Sequence, residues 1–212
     1  MPAYFSVSFI MRKDNIADDT VALFYRALND CGAVFKSGFY ISEGESLERI
    51  TEWNSRKLME NFQIGYDEHF SNDYRQVLFD YFGFSEVRVF ILNEKQENTF
   101  TFELIIPEDD LTVYDESSGH WTIIKDRMLG VKELIVKMWA ICDLDTIQTT
   151  WEGSDLPASL ESIRSGKTPS AEPYAVIPKD AVKEEWGYLC EDIQNGGVLL
   201  IARNEQDEWH IV

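Results

Sequence analysis

Two aspartates one residue apart, Asp143 and Asp145, follow an apolar run in the stretch AICDLDTIQ. Paired carboxylates of this kind suit metal-assisted phosphoryl transfer, in which one attacks phosphorus and the other handles the leaving-group proton. That chemistry needs the pair at the end of a parallel strand. Here the preceding apolar residues recur at helical spacing, so a helix-to-strand turn accounts for the pair without chemistry. A calcium loop is excluded too, because Gln148 stands where the loop requires glycine. Gly166-Lys167-Thr168 has the ending of a phosphate-binding loop, yet Glu161 occupies the position of its first glycine and Pro169 follows at once. Such a loop must lead into a helix whose free amides cradle the phosphates.

The histidines, His69, His120 and His210, lie far from one another and from Cys31, Cys142 and Cys190. No pair therefore has the helical spacing of zinc ligands, and no Cys-x-x-Cys occurs. His69 follows Asp67 and Glu68, and His120 follows Asp115 and Glu116. Neither group has an ordered ligand spacing. A Gly-x-Ser-x-Gly nucleophile turn is absent as well. No cofactor and no metal is expected.

The remaining candidate is TFTFELIIPEDDLTVYDESSGHW, residues 99–121. An apolar strand ends at Pro107, and acids then alternate with large side chains. Glu108, Asp109, Asp110, Asp115 and Glu116, with Glu103 before them, interleave with Leu111, Val113, Tyr114 and Trp121. Aromatics supply binding energy at interfaces, and carboxylates around them steer a cationic partner. The sequence points to Glu108, Asp109, Asp110, Tyr114, Asp115, Glu116 and Trp121 as contacts for a basic protein. Similar mixtures recur at SEGESLERITEW, YDEHFSNDY and NEQDEWHIV.

Charge supports this direction. The 212 residues include 38 acidic and 19 basic ones, a formal net charge of −19. Such a field repels nucleic acid and anionic membrane surfaces and attracts basic proteins. Hydrophobic residues make up 44% and aromatics 13%, enough for a buried core and too much for a disordered acidic tail. No apolar stretch is long enough to cross a membrane. The N-terminal MPAYFSVSFIMRKD alternates and lacks the basic start of a signal peptide. Isolated cysteines in apolar surroundings fit reduced thiols and a cytoplasmic location.

The elements that must position these residues follow from periodicity. Phe5, Val7, Phe9 and Met11 give one face of a first strand. An aspartate-capped helix carries Val21, Phe24 and Leu28 and stops at Gly32, and a second helix carries Leu47, Ile50 and Trp53. NDYRQVLFDYF, from Asn72, reads as a third. Residues 85–107 predict a hairpin around the turn NEKQEN, with Val87, Val89 and Ile91 on one strand and Phe100, Phe102, Leu104 and Ile106 on the other. The longest helix has Ile124, Met128, Val131, Ile135 and Met138 in one stripe, and DTIQTTWEG resumes alternation. Residues 153–173 hold three of the six prolines among crowded serines, and predict a loop or linker with one short helix. A block over 174–212 is expected to form a strand, a helix over KDAVKEEWGYLCEDIQNGG and a final hairpin, packed on the rest.

Within that block, Pro178, Trp186, Asn195, Gly196 and Gly197 resemble the proline, aromatic-helix and Asn-Gly-Gly run of a superfamily of bacterial immunity proteins. The resemblance covers about a tenth of the chain, with a longer gap between Pro178 and Asn195 than that pattern has. It implies binding and neutralising of a toxin.

These readings converge on a single compact α+β domain with a mainly antiparallel sheet and about five helices. The expected function is stoichiometric binding of a basic protein, most concretely by an immunity protein facing a cationic toxin. A small hydrolase using carboxylates with a histidine or a divalent metal, or an adaptor, is the alternative.

Overall fold

The structure, a computed structural model, describes residues 3–66, 72–117 and 119–203, and the backbone of 210 and 211. His69 and its neighbouring acids lie outside the described residues. The chain is α+β. Strands β1 (Tyr4–Arg12), β2 (Val34–Gly38), β3 (Val77–Asp80), β4 (Val87–Asn93), β5 (Thr99–Pro107), β8 (Thr146–Trp151), β9 (Tyr174–Pro178), β10 (Leu189–Asp192) and β11 (Gly197–Ile201) form one sheet. Its order is β10-β11-β9-β8-β1-β5-β4-β3-β2. Every neighbouring pair of strands is antiparallel. A second, three-stranded sheet joins β6 (Thr112–Asp115), β7 (His120–Ile123) and β12 (His210–Ile211).

Helices α1 (Thr20–Asp30), α2 (Leu47–Met59) and α3 (Lys125–Ile141) contribute to one large core. Into it the strands send Phe5, Val7 and Phe9 from β1, Val87, Val89 and Ile91 from β4, and Phe100, Phe102 and Leu104 from β5, all buried. Strand alternation explains the set, since every second side chain faces the helices. Phe24 of α1 stacks on Phe102 with ring centroids 3.8 Å apart. The helical stripe of α3 behaves as its spacing predicts, with Met128, Val131, Ile135 and Met138 buried.

The helix α4 (Leu160–Arg164) forms inside the proline-rich segment, and its Leu160 and Ile163 join a smaller apolar cluster with Ala175, Ile177, Val198 and Leu200. That cluster covers β9 and β11. The strands on either side of the 153–173 segment, β8 and β9, pair with each other in the same sheet.

Four α-helices are found among the described residues, and two predicted ones are not. The stretch from Asn72 is a strand at Val77–Asp80 rather than a helix. Asn54 of α2 decides this. Its side-chain amide donates to the Arg75 carbonyl at 2.8 Å and accepts from the Arg75 N–H at 2.6 Å. Those bonds hold the backbone extended and replace the helical ones that a third helix would offer. Val77 and Phe79 then face the core with period two. The helix expected over Lys179–Gly197 is likewise three 3₁₀ turns and the edge strand β10. Gly187, with φ of 74°, breaks the helical run between them. Cys190 is consequently exposed on that edge, not enclosed in an apolar helix.

The terminal hairpin is also replaced. β11 lies between β10 and β9, while β12 pairs with β7, Ile211 opposite Trp121. At the other edge Gly38 ends β2 where the chain turns back on itself, and a Cβ there would overlap the Ser42 carbonyl oxygen. Ser42 is fixed in place by hydroxyl bonds to the Phe39 and Gln76 carbonyls. Gly38→Ala is therefore expected to destabilise the fold by about 2–3 kcal/mol, read as a lower urea midpoint with an unchanged slope.

Candidate functional site

The two strands that frame the acidic stretch separate its residues into two places. Glu108, Asp109 and Asp110 form a 3₁₀ turn directly after β5. Two of the three are engaged within the fold. The Glu108 carboxylate accepts the Glu152 N–H at 3.2 Å, and Asp110 accepts both the backbone N–H and the hydroxyl of Ser85 at 2.7 Å. Asp109 alone of the three is exposed. Burial raises the pKa of Glu108, and the nearby carboxylates Glu152 and Asp109 add to that rise. Glu108 and Asp110 thus tie loops together.

Tyr114, Asp115, Glu116 and Trp121 lie further on, at the β6–β7 hairpin. Tyr114 and Trp121 are directly opposite across the ladder, and their rings meet edge to face with centroids 5.4 Å apart. Tyr114 is 49% exposed and Trp121 42% exposed, with Val113 also at the surface. Glu116 is exposed at the tip, and Asp115 accepts bonds from the Ser117 N–H and hydroxyl, shaping the turn. Cross-strand aromatic pairs usually bury one face. This one presents about half its surface to solvent.

The structure presents a second candidate site on the main sheet. Glu103 is grouped in the sequence with the acidic loop, but it stands in the middle of β5 on the face away from the large core. The register makes a row of polar side chains there: Ser6 opposite Thr150 and Ile105, Ser8 opposite Gln148 and Glu103, Ile10 opposite Thr146 and Thr101. Glu103 is only 8% exposed. The Ser8 hydroxyl donates to it at 2.6 Å. Burial raises its pKa, and the Ser8 and Ser6 hydroxyls partly offset this by stabilising the carboxylate.

Gln148 builds the wall of this site. Its buried amide donates to the Ala158 carbonyl at 2.7 Å and to the Thr146 hydroxyl. Its oxygen accepts from the N–H groups of Ala158 and Ser170. These bonds hold the segment after β8 against the sheet, leaving beside it an open groove of about 730 Å³ over β1 and β5. The signal for this site lies in the strands themselves: Ser6 and Ser8 alternate with Phe5, Val7 and Phe9, and Thr101 and Glu103 with Phe100 and Phe102. A polar face on two paired strands marks a sheet surface that no helix covers.

Of the other candidates, Asp145 is nearly buried and pairs with Arg12 at 3.1 Å, while Asp143 accepts from the Asn15 amide. Burial raises the Asp145 pKa, with Arg12 opposing that shift. Gly166-Lys167-Thr168 follows α4 instead of opening a helix. The cysteines are free, and burial pushes Cys142 up to about 12, which leaves that thiol a poor nucleophile. Among the described residues no three His, Cys, Asp or Glu side chains converge on a metal-sized site. No described helix is long and apolar enough to cross a membrane.

Glu103, Asp145, Glu108 and Asp73 all hold their protons more tightly in the fold than the ordinary values of 4.5 for Glu and 3.8 for Asp, burial being the main cause each time. A raised carboxylate pKa means the folded state binds more protons than the unfolded one. The stability such a group contributes is fully present at low pH and is lost as pH climbs through the folded value. The melting temperature is expected to fall as pH rises from the ordinary carboxylate range toward neutrality. Self-repulsion of a chain with net charge −19 acts in the same direction. A melting temperature that rises over this range in differential scanning calorimetry would contradict the buried-carboxylate account.

Compared with protein families and with curated proteins, this sequence matches none.

Proposed function

We propose that this chain binds a basic protein stoichiometrically through its β6–β7 hairpin, and that its most concrete role is that of an immunity protein neutralising a cationic toxin. The observation that carries this reading is the half-exposed Tyr114–Trp121 pair. Large, rigid aromatics at a surface bury much area on binding at small entropic cost. Asp109 and Glu116 are exposed near the two ends of the hairpin and give the contact its sign. The net charge of −19 extends the attraction beyond contact distance. Carboxylates arranged around such a contact would stand where phosphates stand on a nuclease substrate.

The test uses the intact chain as bait with lysate from its own source cells, beside a Tyr114→Ala/Trp121→Ala variant. One basic protein should be retained at an equimolar ratio by the wild type and lost by the variant. Its activity should be abolished by one equivalent of wild-type chain. A partner that the double variant holds as tightly as the wild type would overturn the assignment to this hairpin. A partner whose activity is unaffected by binding would overturn the neutralising role.

A further inference from the structure

The groove over β1 and β5 has features that the hairpin reading leaves unused. Its volume of about 730 Å³ lies within the range of small-molecule sites, roughly 300–1,000 Å³. Its floor is the buried Glu103 carboxylate with the Ser6 and Ser8 hydroxyls. Ile10, Ile105, Leu92 and Leu156 add apolar surface along it. Leu156 projects from the wall and is 84% exposed.

Charge along the groove is distributed in sequence. Glu94 and Glu97 stand at the β4–β5 turn, Glu103 lies at the floor, and Glu152 and Asp155 stand at the wall. Lys167 is the basic side chain of the lining, and Lys13 approaches Glu94 and Glu97 from outside it. From Thr99, at the turn, to Glu103 is four residues of strand, about 14 Å at ~3.4 Å per residue. A buried carboxylate with hydroxyl partners and, among the described residues, no base within salt-bridge reach is costly to keep charged. An ammonium group seated on it would form a charge-assisted bond and offset that cost. A bare divalent ion fits less well, since one carboxylate and hydroxyls supply too few strong oxygen ligands. Lys167 apart, the charged side chains of the lining are carboxylates, which disfavour an anion.

We infer that this groove is a binding site for a linear aliphatic polyamine, with one ammonium on Glu103, its methylene chain along Ile10 and Leu92, which flank Thr101 on the way to the turn, and a second ammonium toward Glu94 and Glu97. This site is separate from the hairpin and does not depend on the protein-binding reading.

Calorimetric titration with spermidine tests it, in ~0.15 M salt so that charges beyond about 8 Å are screened. The wild type should bind one equivalent of spermidine and show no heat with 1,8-octanediol, a chain of similar length without charge. Glu103→Gln keeps the shape and removes the charge, and should weaken binding by about tenfold or more. Asp18→Asn, an exposed charge before α1, should leave it unchanged. Thr101→Lys leaves Glu103 intact and fills the groove with a tethered ammonium, and should also abolish binding. The inference is overturned if the wild type shows no saturable binding, or if octanediol binds as well as spermidine. Equal affinity in the wild type and both groove variants, or equal weakening by Asp18→Asn and Glu103→Gln, would reduce the effect to general attraction and overturn it as well.

Discussion

Reversing Asp109 and Glu116 to lysine together is expected to slow association with a basic partner by about tenfold or more at low salt, and to leave dissociation nearly unchanged. Both residues are exposed, so the fold should tolerate the change. Reversal of Glu108 or Asp110 would not be a clean experiment, because their carboxylates hold the backbone N–H groups of Glu152 and Ser85. Raising salt should slow the wild type toward the rate of the variant, since screening removes the long-range part of the attraction. Trp121→Ala should show the opposite pattern, with faster dissociation and an association rate within a few fold of wild type. Its cost to the fold should be below the ~3–5 kcal/mol of a fully buried aromatic, because the residue is 42% exposed. Stopped-flow association across a salt series separates the two effects. A rate indifferent to both salt and charge reversal would show that these acids serve only as solvated turns.

Phe102→Ala and Glu103→Gln, at adjacent positions of β5, are expected to change stability in opposite directions. Phe102 is fully buried, stacked on Phe24 and edge-on to Phe100 and Tyr25. Removing it leaves a cavity between the sheet and α1 and should cost about 3–5 kcal/mol. Glu103 faces the groove, where its charge is desolvated and supported by serine hydroxyls. Glutamine can keep a bond with Ser8 and carries no charge to desolvate. At about pH 8 the substitution should stabilise the fold by on the order of 1–3 kcal/mol, and the gain should shrink as pH is lowered toward the ordinary glutamate range, where the native carboxyl takes up its proton first because burial raises its pKa. Urea titrations at both ends of this range measure the two effects. Destabilisation by Glu103→Gln at pH 8 would mean that the carboxylate is stabilised by its surroundings and is not held there against a cost. A gain in stability paired with loss of spermidine binding would mark Glu103 as a residue kept for a ligand.

Local pattern determined most of the elements. Phe5, Val7 and Phe9 repeat every second residue, and Met128, Val131, Ile135 and Met138 every third or fourth, so the strand β1 and the helix α3 are legible from spacing alone. The antiparallel sheet follows from one-sided alternation and the polar turn at 93–98. The acidic and aromatic composition of the hairpin was also visible, because composition needs no geometry. What tertiary structure decided is wherever a distant group competes with local preference. Asn54 pulls the Arg75 backbone into an extended form, and Gly187 divides a segment whose spacing was helical. β12 pairs with β7, far away in sequence, where a local hairpin with β11 would have been shorter. The fate of each acid was decided in the same way. Asp109, Asp110 and Glu103 are one residue type or nearly so, but the fold leaves the first in water, bonds the second to Ser85 and buries the third beside Ser8. Sequence states that a carboxylate is present; its desolvation and its partners, which set its energy and its chemistry, exist only once the strands have chosen their neighbours.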